Sequence, residues 1–202
     1  MNCDERNYYE QRAAEYDDWY LGTGLFAARV RPGWHAELEA LRARLRSLPP
    51  WPSLDVACGT GFLTRDLPGD ITALDQSASM LRIARKRLPG RRLLQGDALY
   101  LPFRDRAFEC LVAAHFYGHL DVPSRSRFLA EARRVAKRLL MVDAALREDV
   151  QPEEWQARVL RDGSRHTVYK RYFSPEQLAS EAGEGEVLYA GRWFVAVLAP
   201  AP

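Results

Sequence analysis

Three aspartates sit at or near the ends of short apolar runs: Asp55 in Leu54-Asp55-Val56, Asp75 after Ile71-Thr72-Ala73-Leu74, and Asp97 after Leu93-Leu94-Gln95-Gly96. A carboxylate placed this way is an acceptor. It can take both hydroxyls of a ribose, receive the amino group of a purine, or face a cationic centre. The first run continues into Ala57-Cys58-Gly59-Thr60-Gly61. Two glycines one residue apart let backbone come close to a ligand, because no side chain intervenes. A fourth apolar run, Phe108 to Ala114, leads into His115-Phe116-Tyr117-Gly118-His119. Histidine titrates near neutral pH and is the usual choice for moving a proton.

These groups need elements to position them. Pro32 to Leu48 carries Trp34, Leu38, Leu41 and Leu45 at helical spacing and ends at Pro49-Pro50. The run into Asp55 predicts a first buried strand, and Phe62 to Leu67 a short helix after the glycine turn. Ile71 to Leu74 predicts a second strand and Ser77 caps a helix over Ala78 to Leu88. Leu93 to Gln95, Phe108 to Ala114 and Leu139 to Ala144 predict three more strands, with a helix over Ser124 to Lys137. Strand and helix in alternation predict a doubly wound, mostly parallel α/β sheet with helices on both faces. Asp55, Asp75, Asp97 and the Ala114-His115 step then line one edge of it.

The flanks read differently. Asn2 to Ala28 is rich in tyrosine and acids and predicts short helices forming a lid, broken near Gly22 and Gly24. In the tail, Trp155 to Leu160 reads as helical and Tyr169 to Phe173 as a strand. Ser174 caps a helix to about Ala182. Val187 to Tyr189 and Trp193 to Leu198 read as an antiparallel hairpin on the sheet edge. No linker or repeat interrupts the chain, so one domain is expected over 1–202, with the lid and first long helix in 1–48, the cofactor core in 52–146 and an acceptor-side part in 147–202.

The loop argues for a particular ligand. A dinucleotide fingerprint wants a third glycine where Thr64 stands, and no Walker lysine follows. Acids suited to a ribose, an adenine and a cationic centre describe a ligand that contains adenosine and a cation and needs no phosphate.

Those four motifs, in that order and spacing, resemble the class I S-adenosylmethionine-dependent methyltransferases, in their small single-domain form acting on small molecules. The resemblance covers roughly Tyr8 to Leu146 and departs from the family in placing Ala57 where the first loop glycine stands. It implies S-adenosyl-L-methionine as cofactor. Asp55, Ala57, Gly59 and Gly61 would lie at its methionine end, Asp75 would hold the ribose, Asp97 and Ala98 would meet the adenine, Ala114 would lie near the amino-acid end, and Gln76, Met80 and Gly96 would also bind the cofactor. Tyr16 matches a tyrosine that covers the cofactor in similar proteins.

The acceptor is less legible. His115, Tyr117, His119 and His166 are the candidate proton acceptors. The run Arg165 to Phe173 offers basic and phenolic groups for a pocket wall, suited to a small aromatic or anionic acceptor, with Trp193 and Phe194 as stacking surface. Two other uses of the fold stay open: a sulfonium-binding enzyme that drives cyclisation instead of methylation, and a non-catalytic interaction subunit. Cofactor acids retained in full speak against the latter.

Composition narrows the rest. The chain has 202 residues and a net charge of +2, too little to suggest a nucleic-acid partner. Its three cysteines, Cys3, Cys58 and Cys110, have no metal-ligand spacing. No apolar run reaches the ~20 residues of a membrane span. A cytoplasmic monomer or homodimer, with no metal, is expected.

Overall fold

A computed structural model of the protein describes residues 3–200, and side chains from residue 7 onward. Asn2, where the expected lid begins, and the side chain of Cys3 lie outside this range. A seven-stranded sheet runs through the centre. Its strands are β1 (Ser53–Val56), β2 (Ile71–Asp75), β3 (Arg92–Gln95), β4 (Cys110–Ala114), β5 (Arg138–Ala144), β8 (Glu186–Ala190) and β9 (Phe194–Pro200). A separate hairpin pairs β6 (Glu153–Val159) with β7 (Arg165–Arg171). The large sheet has the order β3-β2-β1-β4-β5-β9-β8. The first five are parallel, and β9 runs antiparallel between β5 and β8. This is the doubly wound α/β sheet with an antiparallel edge hairpin that the sequence predicts. Its strand order reverses between β1 and β4, and the crevice at such a switch point is where these sheets bind ligands.

Helices cover both faces: α1 (Cys3–Arg12), α2 (Asp18–Leu21), α3 (Trp34–Arg46), α4 (Ala78–Arg87), α5 (Val122–Val135) and α6 (Pro175–Ala182). Trp34, Leu38, Leu41 and Leu45 of α3 are all buried, packed with Ile71, Val112 and Phe194 of the sheet. On the opposite face Phe128 and Ala132 of α5 and Leu178 of α6 pack on Leu111, Leu139 and Val197. Each fully buried leucine contributes roughly 1.5–3 kcal/mol by its removal from water. Ser77 caps α4 as expected, its hydroxyl accepting from the Met80 amide at 3.1 Å. α5 starts two residues earlier than the apolar pattern suggests. Asp121 accepts from Ser124 N, and Pro123 fits the first turn, where its missing N–H costs nothing.

Two expectations fail. After the glycine loop there is no helix over Phe62 to Leu67, only a 3-10 turn at Thr64–Asp66. Pro68-Gly69 stops it before a second turn forms, and Asp66 is drawn away to Arg42 and Arg46 of α3. Residues Trp155 to Leu160 are not helical. They lie in β6, whose alternate residues Glu154, Gln156 and Arg158 are half-buried while Trp155, Ala157 and Val159 face solvent. The hairpin turns its polar side inward and its apolar side out, so the usual reading of alternation does not find it.

Candidate active site

Two cavities meet above the carboxyl ends of the parallel strands. The first is lined by the loop after β1 (Ala57, Gly59), the end of β2 (Asp75, Gln76), Met80 of α4, and the Gly96-Asp97-Ala98 turn after β3. Asp75 organises this wall. One carboxylate oxygen accepts the Gly59 amide at 2.8 Å and the other the Ser77 amide at 2.8 Å. A single acid thus fixes the glycine loop and the entry to α4. Burial pushes its pKa up to about 6 against those two amides. Asp97 also lines the cavity, and one of its oxygens accepts from Leu99 N at 2.9 Å.

The loop glycines divide their work. Gly59, at φ +57°, carries no Cβ where one would come 3.3 Å from the Tyr16 ring. Gly61 has Leu88 in that place at 2.8 Å, so it serves packing against α4 and is not on the cavity wall. Ala57 lines the cavity at φ +51°, a region that favours glycine.

Asp55 lies behind the loop and off the wall. Its Oδ2 accepts from the Thr64 hydroxyl at 2.6 Å, and its buried Oδ1 has no partner. Burial raises its pKa to about 7. Thr64, where a dinucleotide fold would place glycine, is thus the second half of a buried pair. Ala114 sits at the end of β4, off the wall. An acid at each of two strand ends, a glycine cradle and an orphaned acid behind it fit an adenosine-bearing cation well. Asp75 and Asp97 would hold its ribose and adenine, and Gly59 and Tyr16 its methionine part.

The second cavity, of about 130 Å³, shares Tyr9, Tyr16, His115 and His119 with the first. Its far walls come from α1, from the segment before α3, and from β6 and β7. His115 holds the left-handed φ of +53°, its amide donating to Val142 O at 2.7 Å. Its ring packs on Trp19 at 4.8 Å and its Nε2 is buried without a partner. Burial brings its pKa down to about 4, with nearby Lys170 adding and Asp143 opposing. His119 donates through Nδ1 to the Tyr169 carbonyl at 2.7 Å, which leaves Nε2 as its lone-pair nitrogen. Burial and Lys170 hold it well below the ordinary histidine pKa, so both rings are neutral at neutral pH.

The other two candidates are elsewhere. The Tyr117 hydroxyl donates to Glu181 at 2.8 Å, and His166 meets the Ser164 hydroxyl and the Tyr8 ring. Neither lines either of these two cavities. Of the expected C-terminal wall, the alternate β7 residues Val168 and Lys170 line it, with Tyr172 and Trp193, while Phe194 is core.

Sequence reasoning misses the Asp143–Lys170 pair. Asp143, the penultimate residue of β5, is fully buried, accepting from Lys170 Nζ at 2.6 Å, Gly118 N at 2.8 Å and its own neighbour Ala144 N. Burial alone would raise its pKa, but Lys170 and His115 hold it below the usual carboxylate range. An acid at a fifth strand end was the available signal. Also missed are Arg12, Arg29, Arg31, Arg147 and Arg158, which reach the second cavity from four separate segments.

Residues 54–139 match a protein family described as a methyltransferase domain. The fold and this match place residues 54–139 beside one class of protein: they are similar to the domain of class I S-adenosylmethionine-dependent methyltransferases. The chain is 45% identical over 94 residues to the demethylmenaquinone methyltransferase of Thermotoga maritima, covering 44% of this chain and 40% of that protein. It is 36% identical over 140 residues to phthiotriol/phenolphthiotriol dimycocerosates methyltransferase 1 of Mycobacterium ulcerans, covering 63% and 45%. The aligned regions thus span less than half the length of these curated relatives. The solved structure of DhpI in a complex with SAM and HEP superposes with a TM-score of 0.72 at 27% identity, covering 98% of this chain and 96% of that one. A possible histamine N-methyltransferase from Thermotoga maritima shares the fold, with a TM-score of 0.66 at 22% identity over 98% and 99%.

Among the described residues, no helix is long and apolar enough to cross a membrane.

Proposed function

We propose that the protein transfers the methyl group of S-adenosyl-L-methionine to a small-molecule acceptor held in the second cavity. The observation that carries this reading is the shared wall. Tyr9, Tyr16, His115 and His119 border both cavities, so a ligand in one faces a ligand in the other.

When bound, the cofactor supplies an electrophilic methyl on a sulfonium. The chain's part is to hold and orient both reactants in a dry pocket. Tyr16 closes over Gly59, and Trp19 and Trp34 exclude water behind His115. His119 offers Nε2 to receive a proton from the acceptor, its ring fixed by the bond to Tyr169 O. The demethylmenaquinone and phthiotriol relatives support a small-molecule acceptor.

The test is to incubate the protein with S-adenosylmethionine and candidate small molecules and follow S-adenosylhomocysteine. Calorimetry should show cofactor binding that Asp75→Ala abolishes. Binding of NAD in place of S-adenosylmethionine would refute the proposal. Product masses separate methylation from cyclisation.

A further inference from the structure

We infer that the acceptor is a small acid, held in the second cavity by a carboxylate or phosphoryl group against Arg12, Arg31 and Arg158. The inference rests on that cavity being the acceptor site and names the chemistry it selects.

The argument begins with charge. Arg12, Arg29, Arg31 and Arg158 line the cavity, and none has a carboxylate within ion-pair distance among the described residues. Among the described residues, no aspartate or glutamate lies on the wall. Six arginines elsewhere in the fold do have carboxylate partners. Arg42 pairs with Asp66, Arg87 with Asp17, Arg134 with Glu131, Arg138 with Glu109, Arg161 with Asp18 and Arg171 with Glu181. Arg171 is informative because it neighbours Lys170 on β7, and Lys170, which does reach the cavity, is already matched by Asp143. Arg147, also on the wall, pairs with Asp149 at 2.9 Å, so the unmatched charge facing the cavity is that of Arg12, Arg29, Arg31 and Arg158.

The partners these arginines do have are neutral. Arg158 donates to the side-chain carbonyl of Gln156, and its buried Nε has no partner among the described residues. Arg31 donates to the Trp19 carbonyl at 2.7 Å and lies over the Trp34 ring at 3.8 Å. Arg12 lies over the Tyr16 ring at 4.9 Å. Stacking holds the Arg12 and Arg31 guanidiniums against their rings and leaves N–H edges for a ligand. Burial, with Arg12 and Arg29 nearby, pulls the Arg158 pKa down, as expected for charge without compensation. A planar fork of donors matches a carboxylate or phosphoryl group bidentately.

The hairpin makes the same point independently. β6 faces solvent with Trp155, Ala157 and Val159 and turns Gln156 and Arg158 to the cavity. Exposing a tryptophan to point an arginine inward is the reverse of ordinary burial. It suits a charged ligand. A neutral, extended hydrocarbon would leave several guanidiniums desolvated and unmatched.

The experiment is calorimetric titration of the protein saturated with S-adenosylhomocysteine, using inorganic phosphate, benzoate and neutral benzyl alcohol. One or both anions should bind at least 10-fold more tightly than benzyl alcohol, and the preferred anion identifies the acid class. Arg158→Met should weaken that anion at least 10-fold and Arg158→Lys less, with S-adenosylhomocysteine affinity within 2-fold of wild type in both. If Arg158→Met fails to bind S-adenosylhomocysteine, Arg31→Met carries the same expectation. The inference is overturned if benzyl alcohol binds as well as the anions, if neither anion binds, or if the arginine variants leave anion affinity unchanged. If the wild type does not bind S-adenosylhomocysteine, the fault lies in the methyltransferase reading itself.

Discussion

The Tyr16 ring lies over the Cα of Gly59, where a Cβ would stand 3.3 Å from its nearest carbon. Lid and glycine loop thus pack closely at a position that carries no side chain. Gly59→Ala keeps a backbone that Ala57 already tolerates at a similar φ, so the fold should survive. The ring must move by a few tenths of an ångström. Cofactor affinity should fall about 10-fold, roughly 1.4 kcal/mol. Calorimetry with S-adenosylhomocysteine, beside a melting curve, checks both halves. An unchanged affinity would mean that the ring does not close the site there.

The two buried acids predict a pH dependence. Asp75 and Asp55 titrate at about 6 and about 7, above the ~3.9 of an unfolded aspartate. The folded state therefore keeps protons that the unfolded state has released. Their stabilising contribution is complete below about pH 4 and is lost as pH rises through 6 and 7. His115 and His119, depressed when folded, act in the opposite sense. A difference curve removes them: wild type minus Asp55→Asn, melted from pH 5 to 8, should fall as pH rises. Cofactor that donates hydrogen bonds to Asp75 should release protons near pH 6, seen as buffer-dependent binding heats.

The core was readable because its periods are regular. The five parallel strands are short apolar runs ended by polar residues, and Asp75 and Asp97 reach the cavity from the strand ends, as acids in those places should. What was hidden depends on contacts distant in sequence. Tyr117 looks catalytic from its position after β4, but Glu181 of α6 takes its hydroxyl. His166 lies among polar and aromatic neighbours, yet its strand presents Val168 and Lys170 to the cavity instead. β6 carries its polar residues inward, so a rule that sorts apolar inside and polar outside misreads it. The arginines of the second cavity come from segments spread across residues 12 to 158, and only folding brings them together.

The lid is latched to the cofactor loop by a second contact. Asp17 accepts from the Thr60 hydroxyl at 2.5 Å and from Arg87, while Arg87 donates to the Thr60 carbonyl at 2.9 Å. All three side chains are at least half-buried. Glu10 adds another tie, accepting the amides of Ala78 and Ser79 at the start of α4. Arg87→Ala removes the bridge between α4, loop and lid without touching the cavity wall. Stopped-flow fluorescence should show S-adenosylhomocysteine leaving several-fold faster, with a stability loss of about 1–2 kcal/mol from the unmatched Asp17. An unaltered release rate would show that opening does not pass through this latch.

Beneath His115, Lys170 and Asp143 form a buried ion pair whose removal should be asymmetric. Gly118 is glycine because a Cβ would come within 3.0 Å of the Asp143 carboxylate, so the acid is enclosed on that side as well. Lys170→Met leaves a buried carboxylate with only the amides of Gly118 and Ala144, and breaking such a pair on one side costs about 3–5 kcal/mol. At about 2–4 °C per kcal/mol for a chain of this size, the melting point should drop by roughly 6–20 °C. Lys170→Met combined with Asp143→Asn should recover much of that loss, because no charge is then stranded. A simple additive loss would show that the two groups act separately, with Lys170 serving the cavity and Asp143 serving the backbone of the turn after β4.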